Sequence, residues 1–358
     1  MRLSLLLLAA MLAAQTSDPQ LRWLPVTTPE FVVEGLPSFA QNKGEFYRLP
    51  LSLEKVVREP VWNLAKSPSG GRIHFRTDAT DIAIRVEYPS APNMANMHAF
   101  GQTGVDLYAD GTYFATAIAD KDAKPGKTYE KVYFKGMPAV ERDITIYMPL
   151  YKPAKILSVG VNSQAHLRAP KPYSLPRPVV FYGTSITQGG CASRSGMSYQ
   201  AILGRMLNID FVNLGFSGNG MGEPEMARAV ADIEAAAYVL DFGQNNRTAE
   251  ALEKVYAPFL AAVREKHPNT PILAITPIYA AKEAAGDAEN QKMRELIRQV
   301  VSRAIAAGDR HLQLVEGTDL LGPAQGDGLV DGSHPNDLGF QFMASGLAAR
   351  LREFLHLR

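Results

Sequence analysis

Hydrophobic residues recur with period two over residues 31–161 and in short continuous runs beyond residue 178, with a proline-rich stretch between the two regimes. In the first, Ile73 and Phe75 alternate with polar neighbours, as do Ile82, Ile84, Val86 and Tyr88, and later Ile144, Ile146 and Met148. Alternation of this kind marks half-buried strands. Asp110-Gly111 separates two such runs, a strong hairpin signal because glycine tolerates the positive φ of a primed turn. Short strands divided by turns predict a jelly-roll-like β-sandwich over residues 20–168. Pro170, Pro172, Pro176 and Pro178 fix φ and remove donors, so residues 169–178 read as an extended linker. Five apolar runs follow, beginning at Val179, Phe211, Tyr238, Ile272 and Leu312, with amphipathic helical stretches between them. One stretch carries Met293, Leu296, Ile297, Val300, Val301 and Ala304, and the last carries Leu338, Phe340, Met343, Leu347 and Leu351. Buried strands alternating with helices predict an α/β unit over residues 179–358, its parallel sheet covered on both faces.

Two units suit 358 residues, more than one core usually holds. Hydrophobic residues at 46% and charged residues at 20% describe an ordinary globular chain. A net charge of +1 offers no electrostatic footprint for nucleic acid or an anionic membrane. Met1-Arg2, the apolar run from Leu3 to Ala14 and a polar shift at Gln15 read as a signal peptide over residues 1–15, too short to span a bilayer. Export to the periplasm or the exterior is therefore expected, with no membrane association after cleavage. Cys191 is the only cysteine, so stability must come from packing rather than an internal disulfide.

In open parallel sheets the site lies beyond the carboxyl ends of the strands. After the first apolar run comes Gly183-Thr184-Ser185-Ile186-Thr187, and after the second Gly215-Phe216-Ser217-Gly218-Asn219-Gly220. After the third comes Gly243-Gln244-Asn245-Asn246, and after the fifth a glycine-rich loop leads to Asp331-Gly332-Ser333-His334. A serine hydroxyl needs a base to become a nucleophile, and His334 can serve Ser185 with one ring nitrogen. Asp331, three residues earlier, can fix the tautomer through the other. The oxyanion formed on attack needs preorganised donors, which the Gly218 N–H, the Asn245 side-chain amide and the Ser185 N–H can supply.

With these four blocks in order, the region from Pro178 to Arg358 resembles the SGNH (GDSL-like) hydrolase superfamily, named for its serine, glycine, asparagine and histidine. Ser185, Gly218, Asn245 and the Asp331/His334 pair stand at the matching positions. The resemblance implies a three-layer α/β/α, flavodoxin-like fold and ester hydrolysis by a Ser-His-Asp triad, with no cofactor. The β-rich region ahead resembles domains that precede the hydrolase in some carbohydrate esterases. Thr184 replaces the Asp that often precedes the nucleophile, and Asn246 replaces the Asp that often follows the oxyanion Asn.

Rival readings are weaker. Ser217 serves better as a turn to Gly218 than as a nucleophile. His74, His98, His166, His267, His311 and His356 lack a carboxylate in a comparable loop and read as structural or surface residues. No Gly-x-Ser-x-Gly elbow occurs. The run from Gly218 to Gly222 fails the dinucleotide pattern because Glu223 occupies the last glycine position. No paired-cysteine or His-Glu-x-x-His metal site is present. Cys191 reads as a buried thiol and Arg194 as an exposed side chain. The expected activity is removal of small acyl groups, acetyl foremost, from a carbohydrate or polyol. An acyltransferase using the same residues and a non-catalytic glycan-binding protein are the alternatives.

Overall fold

The computed structural model describes residues 21–357. The expected signal segment, residues 1–15, lies outside them. In the first half β1 (Leu21–Pro25), β2 (Val32–Glu34), α1 (Glu59–Ala65), β3 (Arg72–Thr77), β4 (Ile82–Glu87) and α2 (Ala99–Thr103) follow one another. Then come β5 (Val105–Ala109), β6 (Thr112–Ala117), β7 (Thr128–Phe134), β8 (Arg142–Tyr147), β9 (Lys155–Asn162) and β10 (Leu167–Arg168). They form two antiparallel sheets, ordered β1-β9-β4-β7 and β10-β3-β8-β5-β6, with β2 beside β3. The alternating positions Ile73, Phe75, Ile82, Ile84, Val86, Ile144 and Ile146 meet in the core between the sheets. Asp110 and Gly111 both have positive φ, 48° and 76°, as the predicted hairpin requires.

The second half runs β11 (Val179–Gly183), α3 (Ser185–Gln188), α4 (Tyr199–Leu207), β12 (Phe211–Gly215), α5 (Pro224–Ala231), β13 (Ala237–Asp241) and α6 (Ala249–Lys266). It ends with β14 (Ile272–Ile275), α7 (Glu289–Ala306), β15 (Leu312–Val315), α8 (Gly317–Leu320) and α9 (Asp337–Phe354). The five strands are parallel in the order β12-β11-β13-β14-β15, the flavodoxin-like order. The apolar runs are continuous because both faces are covered. Val179 and Phe181 enter the core on one side of the sheet, and Val180 and Tyr182 enter that on the other.

Two sequence expectations, for Leu338 and Arg194, need correction, and the first half shows a further feature. The first half contains helices that strand periodicity did not reveal, and α1 does not serve the sandwich. Its Val61, Trp62 and Ala65, with Leu49 and Val57, pack into a core of the parallel sheet. Met97, Tyr108, Tyr147, Leu150 and Tyr151 enter the opposite core. The two halves therefore share apolar cores. Leu338 is 46% exposed, since at 3.6 residues per turn it falls on the solvent face of α9 with Gln341 and Ser345. Arg194 is partly buried rather than free, and its partners are described below. No helix among the described residues is long and apolar enough to cross a membrane.

Candidate active site

Ser185 opens α3 directly after β11. Thr184 caps that helix, its hydroxyl accepting from the Ile186 N–H at 3.3 Å. The turn is so tight that a Cβ at residue 183 would stand 2.3 Å from the Asp241 carbonyl oxygen, so only glycine fits. As the first residue of α3, Ser185 has no intrahelical acceptor for its own N–H. The rest of α3 is anchored from several directions. The Thr187 carbonyl accepts from Asn213 at 2.7 Å and Gln200 at 2.8 Å. The Gln188 amide donates to the Leu150 carbonyl at 3.1 Å and accepts from the Ser217 N–H at 2.9 Å. The α3 helix is thus fixed to both the loop after β12 and the first half of the chain.

His334 comes from the loop before α9. Its Nε2 lies 2.8 Å from the Ser185 Oγ, and its Nδ1 lies 2.9 Å from Asp331 Oδ2. Asp331 Oδ1 also accepts from the backbone N–H groups of Ser333, at 3.1 Å, and His334, at 2.9 Å. One turn therefore presents the carboxylate and the imidazole together. Partial burial pushes the Asp331 carboxyl up, but the bonds from the His334 backbone and ring and from Asn96 outweigh it and hold the group at about 2. An ionised Asp331 places the ring proton on Nδ1, which leaves the Nε2 lone pair to accept from the Ser185 hydroxyl.

Asn245 follows β13. Its Oδ1 accepts from the Gly220 N–H at 3.1 Å, which leaves the amide N–H groups free to point elsewhere. Gly218 sits in the turn after β12 with φ +67°, a conformation side chains resist, and no described residue accepts from its N–H. Ser185, Asn245 and His334 line a cleft of about 280 Å³ with Gln244, Arg247, Ile278, Tyr279, Asn290 and Met293. Gly218 and Asp331 are not part of that lining, although Asp331 is bonded to His334, which is.

The competing histidines lie elsewhere. His74 is buried between Glu34 and Asp143, whose hydrogen bonds overcome desolvation and raise it to about 9. His166 bonds Asp78, His98 caps α2, and the His267 ring faces the Ala231 carbonyl.

Residues of the first half reach the site, which the local motifs did not announce. Asn96 donates to Asp331 Oδ2 at 3.2 Å. The buried Tyr151 hydroxyl donates to the Ser185 carbonyl at 3.2 Å. Ser69 donates to the Gln188 carbonyl at 2.8 Å. Asp106, fully buried in β5, accepts from the Gly196 N–H at 2.8 Å and from Arg194 at 3.3 Å. Arg194 also donates to the Tyr108 hydroxyl and stacks 3.8 Å over the Tyr113 ring. Arg48 is buried from end to end and donates to the carbonyls of Ser67, Leu64, Asn213 and Gly215. Its guanidinium lies 4.6 Å over the Phe216 ring. Asp106 occupies the polar position of the alternating run Val105, Leu107 and Ala109, so its burial was not legible in the sequence.

Residues 176–352 match the GDSL-like lipase/acylhydrolase family. Residues 21–167 match the GxDLY domain, described as the N-terminus of SGNH-hydrolase-type esterases. The string reads Gly104-Val105-Asp106-Leu107-Tyr108 here, so it supplies the pairing with Arg194. A crystal structure described as a GDSL-like lipase from Bacteroides ovatus is 31% identical, with a TM-score of 0.83 over 94% of this chain and 99% of that one. A salicylyl-acyltransferase from a tetracycline biosynthetic pathway is 22% identical, with a TM-score of 0.80 over 96% and 100%. A family two carbohydrate esterase from Clostridium thermocellum, solved with cellohexaose, is 18% identical, with a TM-score of 0.63 over 81% and 94%. The last two likenesses concern the fold. No curated protein sequence matches the chain. Taken with the parallel sheet and its serine–histidine pair, these matches establish that the chain belongs to the GDSL-like lipase/acylhydrolase family of carboxylic ester hydrolases.

Proposed function

We propose that the chain is an exported serine esterase that removes small acyl groups, acetyl foremost, from a carbohydrate or polyol. The observation that carries the catalytic reading is the 2.8 Å contact between Ser185 Oγ and His334 Nε2, with Asp331 behind the ring. In this mechanism Ser185 attacks the ester carbonyl while His334 takes its proton. The N–H groups of Ser185 and Gly218 and the Asn245 amide receive the oxyanion. His334 then protonates the leaving alcohol, and water, activated by the same imidazole, releases the acid and frees Ser185.

The carbohydrate alcohol is supported by neighbours of like fold. One is the cellohexaose-bound esterase, and another is described as an acetyl xylan esterase from Butyrivibrio proteoclasticus. Export rests on the sequence of residues 1–15. Ser185→Ala is expected to reduce turnover of an aryl acetate to background while leaving the circular dichroism spectrum intact. Unchanged turnover rejects the assignment. A panel of acetylated sugars and longer acyl esters then reads acyl length and alcohol.

A second reading is acyl transfer from the same acyl-serine to an alcohol. It is favoured by the higher TM-score against the salicylyl-acyltransferase, 0.80, than against the cellohexaose-bound esterase, 0.63. Product analysis with a competing acceptor alcohol separates the two.

A further inference from the structure

Cys191 follows the nucleophile helix by three residues and is buried. Its φ is +71°, a conformation that non-glycine residues adopt only in a small minority of cases, so the chain holds this thiol in place at a conformational cost. One ligand atom from each of Cys191, Asp331 and His334 falls within 4.8 Å of the other two. Sulfur, carboxylate oxygen and imidazole nitrogen are the donor types that zinc takes, at about 2.0–2.3 Å. Around a tetrahedral ion such donors stand about 3.3–3.6 Å apart, so a closure of about an ångström completes three of four positions and leaves the fourth to water.

We propose that Cys191, Asp331 and His334 form an inhibitory site for a thiophilic divalent cation. Binding forms a metal–sulfur bond and releases the thiol proton to solvent, with no change in oxidation state. The imidazole nitrogen on the Asp331 side, Nδ1, is the one that can share an ion with that carboxylate. Ligation through Nδ1 replaces the bond to Asp331 and moves the ring proton to Nε2, so the nitrogen that faces Ser185 can no longer accept its proton. The ion thus competes with catalysis for the same two side chains, and Cys191 supplies the affinity.

The inhibition rests on the esterase reading, whereas the binding does not, so two measurements are paired. Zinc chloride added to the full chain is expected to abolish aryl acetate turnover, and a chelator to restore it. Cys191→Ser is expected to raise the half-inhibitory zinc concentration by more than about tenfold, since losing even a second-shell partner costs about 10–100-fold in metal affinity. Cadmium chloride is expected to produce a thiolate-to-metal absorption band in both the unaltered chain and Ser185→Ala, and none in Cys191→Ser. Equal zinc inhibition of Cys191→Ser, or no band in the unaltered chain, overturns the proposal. If no esterase turnover is found, the band still decides whether the thiol binds metal.

Discussion

Asn245 shows how one side chain is committed at one end and free at the other. Its carbonyl oxygen is held by the Gly220 N–H, so the amide nitrogen is oriented before any substrate arrives. Asn245→Ala is expected to lower kcat by about 10²–10³-fold with little change in KM, measured by steady-state hydrolysis of an aryl acetate. A loss confined to KM would assign Asn245 to ground-state binding instead. Asn96 acts at one remove, through Asp331. A hydrogen bond to a charged acceptor is worth about 1.5–3 kcal/mol, and the exposure of both partners reduces that. Asn96→Ala is therefore expected to lower kcat by only about 3–10-fold, and Asn96→Asp by more, because it sets like charges together. Equal kcat in all three proteins would remove Asn96 from the site. The contact of Ser185 with His334 and of His334 with Asp331 could be anticipated because Ser185 lies in a short string behind a strand and the other two within one turn. That of Asn96 could not, because 235 residues separate it from Asp331 and no local pattern records such a contact.

At the scale of elements, β13 ends on a carboxyl group that the proposed mechanism does not use. Asp241 is wholly buried beneath α3, and that burial pushes it up to about 6 against the hydrogen bonds it accepts from the hydroxyls of Tyr199, at 2.9 Å, and Thr187, at 3.0 Å. Between the ordinary carboxylate value of 3.8 and about 6, the folded chain holds a proton that the unfolded chain has lost. Stability from this group is therefore greatest at the acid end and falls as pH rises through the window, by roughly 3 kcal/mol at most. Asp241→Asn is expected to remove that slope, read from denaturant midpoints across the window. A slope unchanged in the variant would show that Asp241 ionises as an ordinary carboxylate. The strands themselves were readable because a two-sided parallel strand needs an unbroken apolar run, and five such runs occur. The role of α1 was not, because its apolar face is short and its partner is the parallel sheet of the other half.

Across the whole molecule, the halves behave as one body stitched by buried polar groups. Asp106 meets Gly196 and Arg194, and Tyr108 shares the same arginine. Removing one partner of such a pair strands the other, so Asp106→Ala is expected to cost roughly 3 kcal/mol, measured by chemical denaturation. Activity should fall with it under native conditions, because Tyr151 and Asn96 reach the site from the same side of the interface. Full activity in a destabilised Asp106→Ala chain would mean that docking and catalysis are independent. The proline-rich stretch reads as an extended linker between two units, and composition alone could not reveal the interior they share.

Arg48 carries that point furthest. It offers a cation to the end of β12 and meets backbone carbonyls there instead of a carboxylate. A chimera that grafts this sandwich onto a relative's catalytic half must also import a strand whose peptide oxygens turn outward at that spot. Without them a guanidinium is entombed with too few acceptors, and the hybrid should aggregate on expression even though its triad is intact.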